Sequence, residues 1–288
     1  MIPIKAYVMD AFSARVFGGN QAGVVLPDRE LSDEVMQQIA AEFKHSETAF
    51  VRLFTDGTVQ LKYFTPAGEV DLCGHATIAS FVLLRKLQWI DNGVHTALTK
   101  SGQLSVAVNE DTVWMDMAAP QVLKTLEASD ISKLYAAYGL ADSDRPEDLV
   151  PELVSTGLAD IMMPVRDHDT LMRAVQNEEA VNAISRRFDC TGVHMFCMGG
   201  KDCTAYCSNF APLYAIPEEC ATGTSNGALT YYLYRRGLIH EGAENVFLQG
   251  EHMHRPSEIR SRLTIEQNRP HVQIGGRAVM SLECDLKI

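Results

Sequence analysis

No run of the 288 residues approaches the roughly 20 consecutive apolar positions that a membrane-spanning helix needs. The opening Met1-Ile2-Pro3-Ile4-Lys5 lacks the hydrophobic core of a signal peptide, so a cytoplasmic location and no membrane partner are expected. Positive charge is scarce: 25 Lys and Arg stand against 37 Asp and Glu, a formal net charge of -12. That balance argues against nucleic acid, which needs a basic face to neutralise its phosphates. A small anionic substrate stays open, because a local pocket can oppose the net charge. No Gly-x-Gly-x-x-Gly turn opens a helix after a strand, which removes the dinucleotide fingerprint. Cys-x-x-Cys is missing too, and the spacing of Cys197, Cys203 and Cys207 gives no metal site. Seven cysteines, an odd number without scaffold spacing, read as reduced thiols. His252 and His254 could chelate an ion but read more simply as part of a loop.

What the sequence has is strands. Ile4 to Phe12 and Thr48 to Phe54 are rich in β-branched and aromatic residues, and Thr58 to Phe64 alternates. Thr55-Asp56-Gly57 between the last two predicts a hairpin. Leu104 to Val108 and Val113 to Met117 form another pair. Helices are fewer. Ser32 caps a predicted helix reaching about Phe43, with Val35, Met36, Ile39, Ala40 and Phe43 on its apolar face. Amphipathic helices are predicted from Ser129 to Tyr138 and from about His168 to Arg187. Two more, beginning at Gly74 and Gly223, are apolar nearly all round, and such helices are buried on all sides.

The text before these two helices repeats. Phe64-Thr65-Pro66 precedes Asp71-Leu72-Cys73-Gly74-His75-Ala76-Thr77, and Phe210-Ala211-Pro212 precedes Glu218-Glu219-Cys220-Ala221-Thr222-Gly223-Thr224. Each copy has Phe-x-Pro, an acid, a Cys, and a Thr four residues after the Cys. A duplication of half the chain follows, with two β-rich halves each wrapped around one helix. The domains expected are 1–118, with a central helix near 74–88, and 119–288, with a central helix near 223–237 and room for the final strands to cross back. A helix start carries N–H groups without intrahelical partners and a partial positive charge. Two such starts facing one cleft would bind a carboxylate and stabilise a developing enolate.

At this point the residues resemble the phenazine-biosynthesis (PhzF-like) family of isomerases and epimerases. Asp10-Ala11-Phe12 with Gly19-Asn20-Gln21-Ala22-Gly23 looks like its opening signature, and His45-Ser46-Glu47-Thr48-Ala49-Phe50 like its catalytic segment. Tyr63 to Pro66, Cys73 to Thr77, Ala221-Thr222-Gly223, Asn226-Gly227, Gln249-Gly250 and Arg255-Pro256-Ser257 follow in the family's order. The resemblance implies an α+β fold similar to diaminopimelate epimerase. It has two pseudo-symmetric domains, each a curved, mostly antiparallel sheet or barrel around a central buried helix. It further implies no metal, no organic cofactor, a homodimer, and Glu47 as general acid/base with His75 binding or polarising the substrate. Glu219 stands where the phenazine enzymes carry Asp, Thr224 where they carry Ser, and Cys220 where Pro is usual, which leaves the substrate open.

The remaining site residues carry competing readings. Cys73 and Cys220 both precede helix starts, where thiol pKa values fall. On opposite faces of a carbon they could run a two-base racemisation, as amino-acid racemases of the same fold do, or they are small buried hydrophobes. Asn20 either binds substrate or holds a turn. The backbone of Gly74 and Gly223, together with Thr224, is expected to bind substrate. Three functions are carried forward: proton-transfer isomerisation of a small carboxylate-bearing metabolite through Glu47, racemisation or epimerisation of an amino acid by the thiol pair, and ligand binding without catalysis.

Overall fold

In a computed structural model that describes residues 4–288, the apolar strand segments pair much as their alternation predicts. The chain divides into two units, Met1–Asp116 with Gly275–Ile288, and Met117–Ile274. The first contains β1 (Ile4–Ala11), β2 (Asn20–Leu26), α1 (Asp33–Phe43), β3 (Glu47–Leu53), β4 (Val59–Phe64), β5 (Glu69–Val70), α2 (Gly74–Lys86), β6 (Gly93–Thr99), β7 (Gly102–Asn109) and β8 (Thr112–Asp116). The second contains β9 (Gln121–Thr125), α3 (Ala128–Ala136), β10 (Glu152–Ser155), β11 (Ala159–Pro164), α4 (His168–Arg173), α5 (Glu178–Phe188), β12 (Gly192–Met198), β13 (Ala205–Ala211), β14 (Ile216–Glu219), α6 (Gly223–Arg235), β15 (Glu244–Gln249) and β16 (Ser257–Glu266). The last strand, β17 (Arg269–Leu286), starts in the second unit and ends in the first.

In the first unit β1 pairs antiparallel with β2, β2 parallel with β3, β3 antiparallel with β4, β4 parallel with β6, and β6, β7 and β8 run antiparallel in turn. β17 closes the ring by pairing with both β8 and β1. The closed ring leaves no long sheet edge exposed. Inside it lies α2, packed against β1, β2, β3, β7 and β8. Every residue from Ala76 to Leu84 is buried, as all-round apolarity requires. Phe81, Ile78, Leu83 and Leu84 each contribute roughly 1.5–3 kcal/mol by leaving water. Outside the ring, α1 sets Met36, Ile39 and Ala40 on Ile4, Val25, Phe50 and Phe64. Ser32 caps it by accepting from the Val35 N–H.

The second unit repeats the pairing sense step for step. β10 and β11 are antiparallel, β11 and β12 parallel, β12 and β13 antiparallel, β13 and β15 parallel, and β15 and β16 antiparallel. The short β14 stands on β13 as β5 stands on β4, each just before its helix. The repeated topology supports the duplication that the sequence text suggested. α6 is the enclosed helix here, packed on β10, β11 and β16.

One helix differs from expectation. The segment from His168 to Arg187 is two helices, α4 and α5, not one. Ala174 leaves helical geometry at ψ 129. The linker's amides then donate to the end of α3, Val175 to the Tyr138 carbonyl and Asn177 to that of Ala137. Asn177 caps α5 by accepting from the Ala180 N–H, with Glu178 and Glu179 in the first turn. That start signal was in the sequence, and the amphipathic period ran across it.

Candidate active site

Glu47 is the first residue of β3. Lys44, the C-cap of α1, takes a left-handed backbone (φ 58) and turns the chain toward that strand. Parallel pairing opposite Ala22 then fixes Glu47 beside β2. His75 is the second residue of α2, and Cys73 is its N-cap. The first turn is anchored from below: Thr77 Oγ1 donates to the Cys73 carbonyl at 2.7 Å and meets the buried Tyr63 hydroxyl at 2.6 Å.

These elements bring three side chains together. His75 Nε2 lies 3.4 Å from Glu47 Oε2, with the two side chains 10% and 22% exposed. Cys73 Sγ lies 3.4 Å from His75 Nδ1, and Ser46 Oγ lies 3.5 Å from Nε2. Burial lowers the imidazole pKa, against the opposing pull of the Glu47 carboxylate and a hydrogen bond to the Gln21 backbone. Burial thus favours the neutral ring, in which one nitrogen donates and the other accepts. The ring is wedged between a carboxylate and a thiol, while α2 begins with no side-chain cap. Such a start offers N–H donors and positive potential to an anion.

Asn20 is buried at the first position of β2. Gly19 before it has φ +62, and a Cβ there would overlap the Ala11 carbonyl oxygen. Glycine is thus required at the turn that delivers Asn20 and, next to it, the Gln21 carbonyl. Gly74 opens α2 as expected.

In the second unit the residues singled out surround the start of α6. Glu219 ends β14, Gly223 is the first helical residue, and the Thr224 carbonyl accepts from Thr156 Oγ1 at 2.8 Å. The organising side chain is one that sequence reading did not single out. The fully buried Gln249 donates through Nε2 to the Glu219 carbonyl at 2.7 Å and to Thr222 Oγ1 at 3.2 Å. Its Oε1 accepts from Asn226 Nδ2 at 2.8 Å and from the Thr222 N–H at 3.3 Å. The only sign in the sequence was the Gln249-Gly250 motif.

Two expectations about Cys220 are corrected. Burial pushes its thiol up to about 11, helped by the Glu219 carboxylate and opposed by Arg255, where a fall had been expected. The helix starts also set a different register from the repeated text. The N-cap of α2 is Cys73 and that of α6 is Thr222. Thr222, not Cys220, therefore matches Cys73, because the count from Cys to Thr does not locate where each helix begins. No disulfide joins any of the seven cysteines among the described residues. His252 is held by Glu218 Oε1 at 3.2 Å, Ser208 Oγ at 3.3 Å and the Met172 carbonyl at 3.1 Å.

Residues 9–284 match the phenazine biosynthesis-like protein family. The chain belongs to that family. The uncharacterized isomerase YddE of Escherichia coli K12 is 32% identical over 295 residues, covering 99% of this chain and 98% of its own. A Bacillus anthracis phenazine biosynthesis protein of the PhzF family superposes with a TM-score of 0.90 at 27% identity, with both chains fully covered. A predicted epimerase from Pseudomonas aeruginosa, 24% identical with 99% of each chain covered, shares the fold at a TM-score of 0.82. The phenazine biosynthesis-like chain is thus an isomerase on an α+β, epimerase-like fold. No helix among the described residues is long and apolar enough to cross a membrane.

Proposed function

We propose that this phenazine biosynthesis-like chain is a cofactor-independent isomerase that moves a proton on a small carboxylate-bearing metabolite, with Glu47 taking and returning it. The observation that carries the reading is the 3.4 Å approach of Glu47 to His75, whose side chain is 10% exposed, in the first turn of α2. Glu47 removes a proton from a carbon next to an electron sink. Negative charge grows on the sink, where the first N–H groups of α2 and the imidazole donor stabilise it. Glu47 then gives the proton to another carbon, so substrate and product have equal composition. A general acid/base placed in this way contributes about 10²- to 10⁴-fold in rate.

The thiol-pair reading is weaker. A Cys220 thiol held at about 11 is protonated at neutral pH and supplies no base. The direct experiment is a screen of amino acids and cyclohexadiene carboxylates for deuterium uptake from D₂O, followed by NMR. The wild type should exchange its substrate. Glu47→Gln should not, while the same ligand still raises its melting temperature. Near-native turnover by Glu47→Gln would remove this mechanism. Inactivation by thiol alkylation, matched by loss of turnover in both Cys→Ser variants, would restore the racemase reading. Ligand binding with no exchange of any carbon acid would leave a binding protein.

A further inference from the structure

His194, in β12, is fully buried, and the side chains of Asn209 and Asn226 flank its ring. Asn209 sits opposite it on β13, with Oδ1 3.0 Å from Nδ1. The other ring nitrogen, Nε2, and Asn226 Oδ1 are both buried without a hydrogen-bond partner. Buried polar atoms are rarely left so, and two acceptors side by side ask for one hydrogen between them.

The Asn226 oxygen cannot trade places with its own amide nitrogen. Asn226 Nδ2 donates to the Thr222 carbonyl at 2.8 Å and to Gln249 Oε1 at 2.8 Å. A backbone carbonyl only accepts, so turning this carboxamide would set oxygen against oxygen. Gln249 is fixed in the same way, because its Nε2 donates to the Glu219 carbonyl and its Oε1 takes the Thr222 N–H. The hydrogen must therefore come from the ring. A neutral imidazole has one N–H, and on Nε2 it satisfies both orphans. Nδ1 then accepts, which Asn209 meets by turning its nearly symmetric carboxamide to present Nδ2. His194 is the one hydrogen-bond partner of the Asn209 side chain among the described residues, so the turn breaks nothing else. A doubly protonated ring would serve the same oxygens, but burial pushes His194 down to about 4.

We infer that His194 carries its proton on Nε2 and, through Asn226 and Gln249, positions the start of α6 for the reaction. Donors run one way along the chain. His194 donates to Asn226, Asn226 to Gln249 and the Thr222 carbonyl, and Gln249 to the Glu219 carbonyl and the Thr222 hydroxyl. The relay ends on the last residue of β14 and the N-cap of α6, the two points between which Cys220 and Ala221 turn the chain. His194 is a positioning residue, since it acts only through these side chains. Its effect on turnover rests on the proposed isomerase reaction and on α6 meeting the substrate with its first turn; the tautomer rests on neither.

Nitrogen-15 NMR of the imidazoles in the labelled full chain tests the tautomer, with through-bond assignment picking out His194 among the nine histidines. At neutral pH the proton should sit on Nε2. A proton on Nδ1, or on both nitrogens, would overturn the inference, and this result decides even where a variant fails to fold. Two variants test the relay. Glutamine at 194 can set an amide N–H near the Nε2 position, whereas asparagine reaches only as far as Nδ1. His194→Gln should keep the Thr222 amide protected from hydrogen exchange, and His194→Asn should let it exchange about 10-fold faster. On the amino acid or cyclohexadiene carboxylate that the D₂O screen returns, His194→Asn should lose roughly 10-fold in kcat and His194→Gln no more than about 2-fold. Equal Thr222 exchange, or equal turnover, in the two folded variants would overturn the relay. A wild type that exchanges no carbon acid, yet shows the Nε2 proton and the ranking at Thr222, would remove the isomerase reading and support the relay.

Discussion

His75 Nε2 stands 3.4 Å from Glu47 Oε2, the ring supplied by the first turn of α2 and the carboxylate by the first residue of β3. Position matters as much as charge in such a pair. Glu47→Asp keeps the carboxylate but withdraws it by one methylene. A misplacement of about 1 Å costs on the order of 100-fold. We expect Glu47→Asp to lose roughly 10- to 100-fold in kcat for deuterium exchange and Glu47→Gln roughly 10²- to 10⁴-fold, with ligand-induced melting shifts kept in both. Equal rates in Asp and Gln variants would show that the carboxylate does not touch the proton.

Two histidines, the buried His194 and the half-buried His252, should give stability opposite dependences on pH. His252 is raised by its hydrogen bond to Glu218, against burial, with the Met172 carbonyl and the Glu218 and Glu251 charges also favouring the imidazolium. Its contribution is fully present below the unfolded value near 6.5 and is lost as pH rises through its folded value. His194, enclosed beside Asn209 at 3.0 Å, is pushed down to about 4 by burial. The unfolded chain there binds a proton that the native chain refuses, so stability falls as pH drops from about 6.5 toward 4. Melting curves from pH 4.5 to 8.5 check both. His252→Gln should lose most at the acid end of the range above 5.5 and little at 8.5. His194→Gln should flatten the acid slope. A pH-independent deficit in either variant would refute the assignment for that residue.

What the sequence disclosed divides along physical lines. The central helices, the Thr55–Gly57 hairpin and the Ser32 cap were legible because they are local: periodicity, turn chemistry and capping act within a few residues. The duplication was read from the text, and the two units share a pairing sense although the text and the helix starts are in different register. The meeting of Glu47 with His75 was not legible from periodicity. It depends on the parallel pairing of β2 with β3 and on α2 lying inside the ring, both non-local, and only the family resemblance linked them. The match of Cys73 with Thr222 was hidden because residue counting does not reveal where a helix starts. Gln249 was hidden as an organiser because its partners, Glu219, Thr222 and Asn226, are 23 to 30 residues away.

That network gives the third prediction. Gln249→Leu preserves bulk but strips hydrogen bonds from the Glu219 carbonyl, the Thr222 amide and hydroxyl, and the Asn226 side chain. Buried groups left without partners cost about 1–3 kcal/mol each before relaxation. A loss of about 2–4 kcal/mol in urea unfolding is expected. Gln249→Glu should not rescue it. A second carboxylate oxygen can accept where Oε1 accepted, but it cannot donate to the Glu219 carbonyl as Nε2 does. A Gln249→Glu variant as stable as wild type would mean that the donor side of the carboxamide is unimportant.

The turn before Asn20 offers a comparison in which backbone strain and crowding separate. Gly57, in the β3–β4 hairpin, has φ +85 with nothing within 4 Å of a built Cβ. Gly57→Ala should therefore cost only the left-handed penalty of about 1–2 kcal/mol. Gly19 has φ +62, and a Cβ there would overlap the Ala11 carbonyl and lie 2.9 Å from Ser13 Cβ. Both neighbours belong to the strand end and turn that β2 needs in order to pair with β1. Gly19→Ala should add to the same penalty a further cost of about 1–3 kcal/mol for overpacking. The damage should also reach the chemistry, because the displaced segment includes Asn20 and the Gln21 backbone that holds the His75 ring. Urea midpoints should thus rank wild type above Gly57→Ala above Gly19→Ala, and only Gly19→Ala should slow deuterium exchange. If Gly19→Ala unfolds no earlier than Gly57→Ala, the close approach of Gly19 to Ala11 does not constrain the turn.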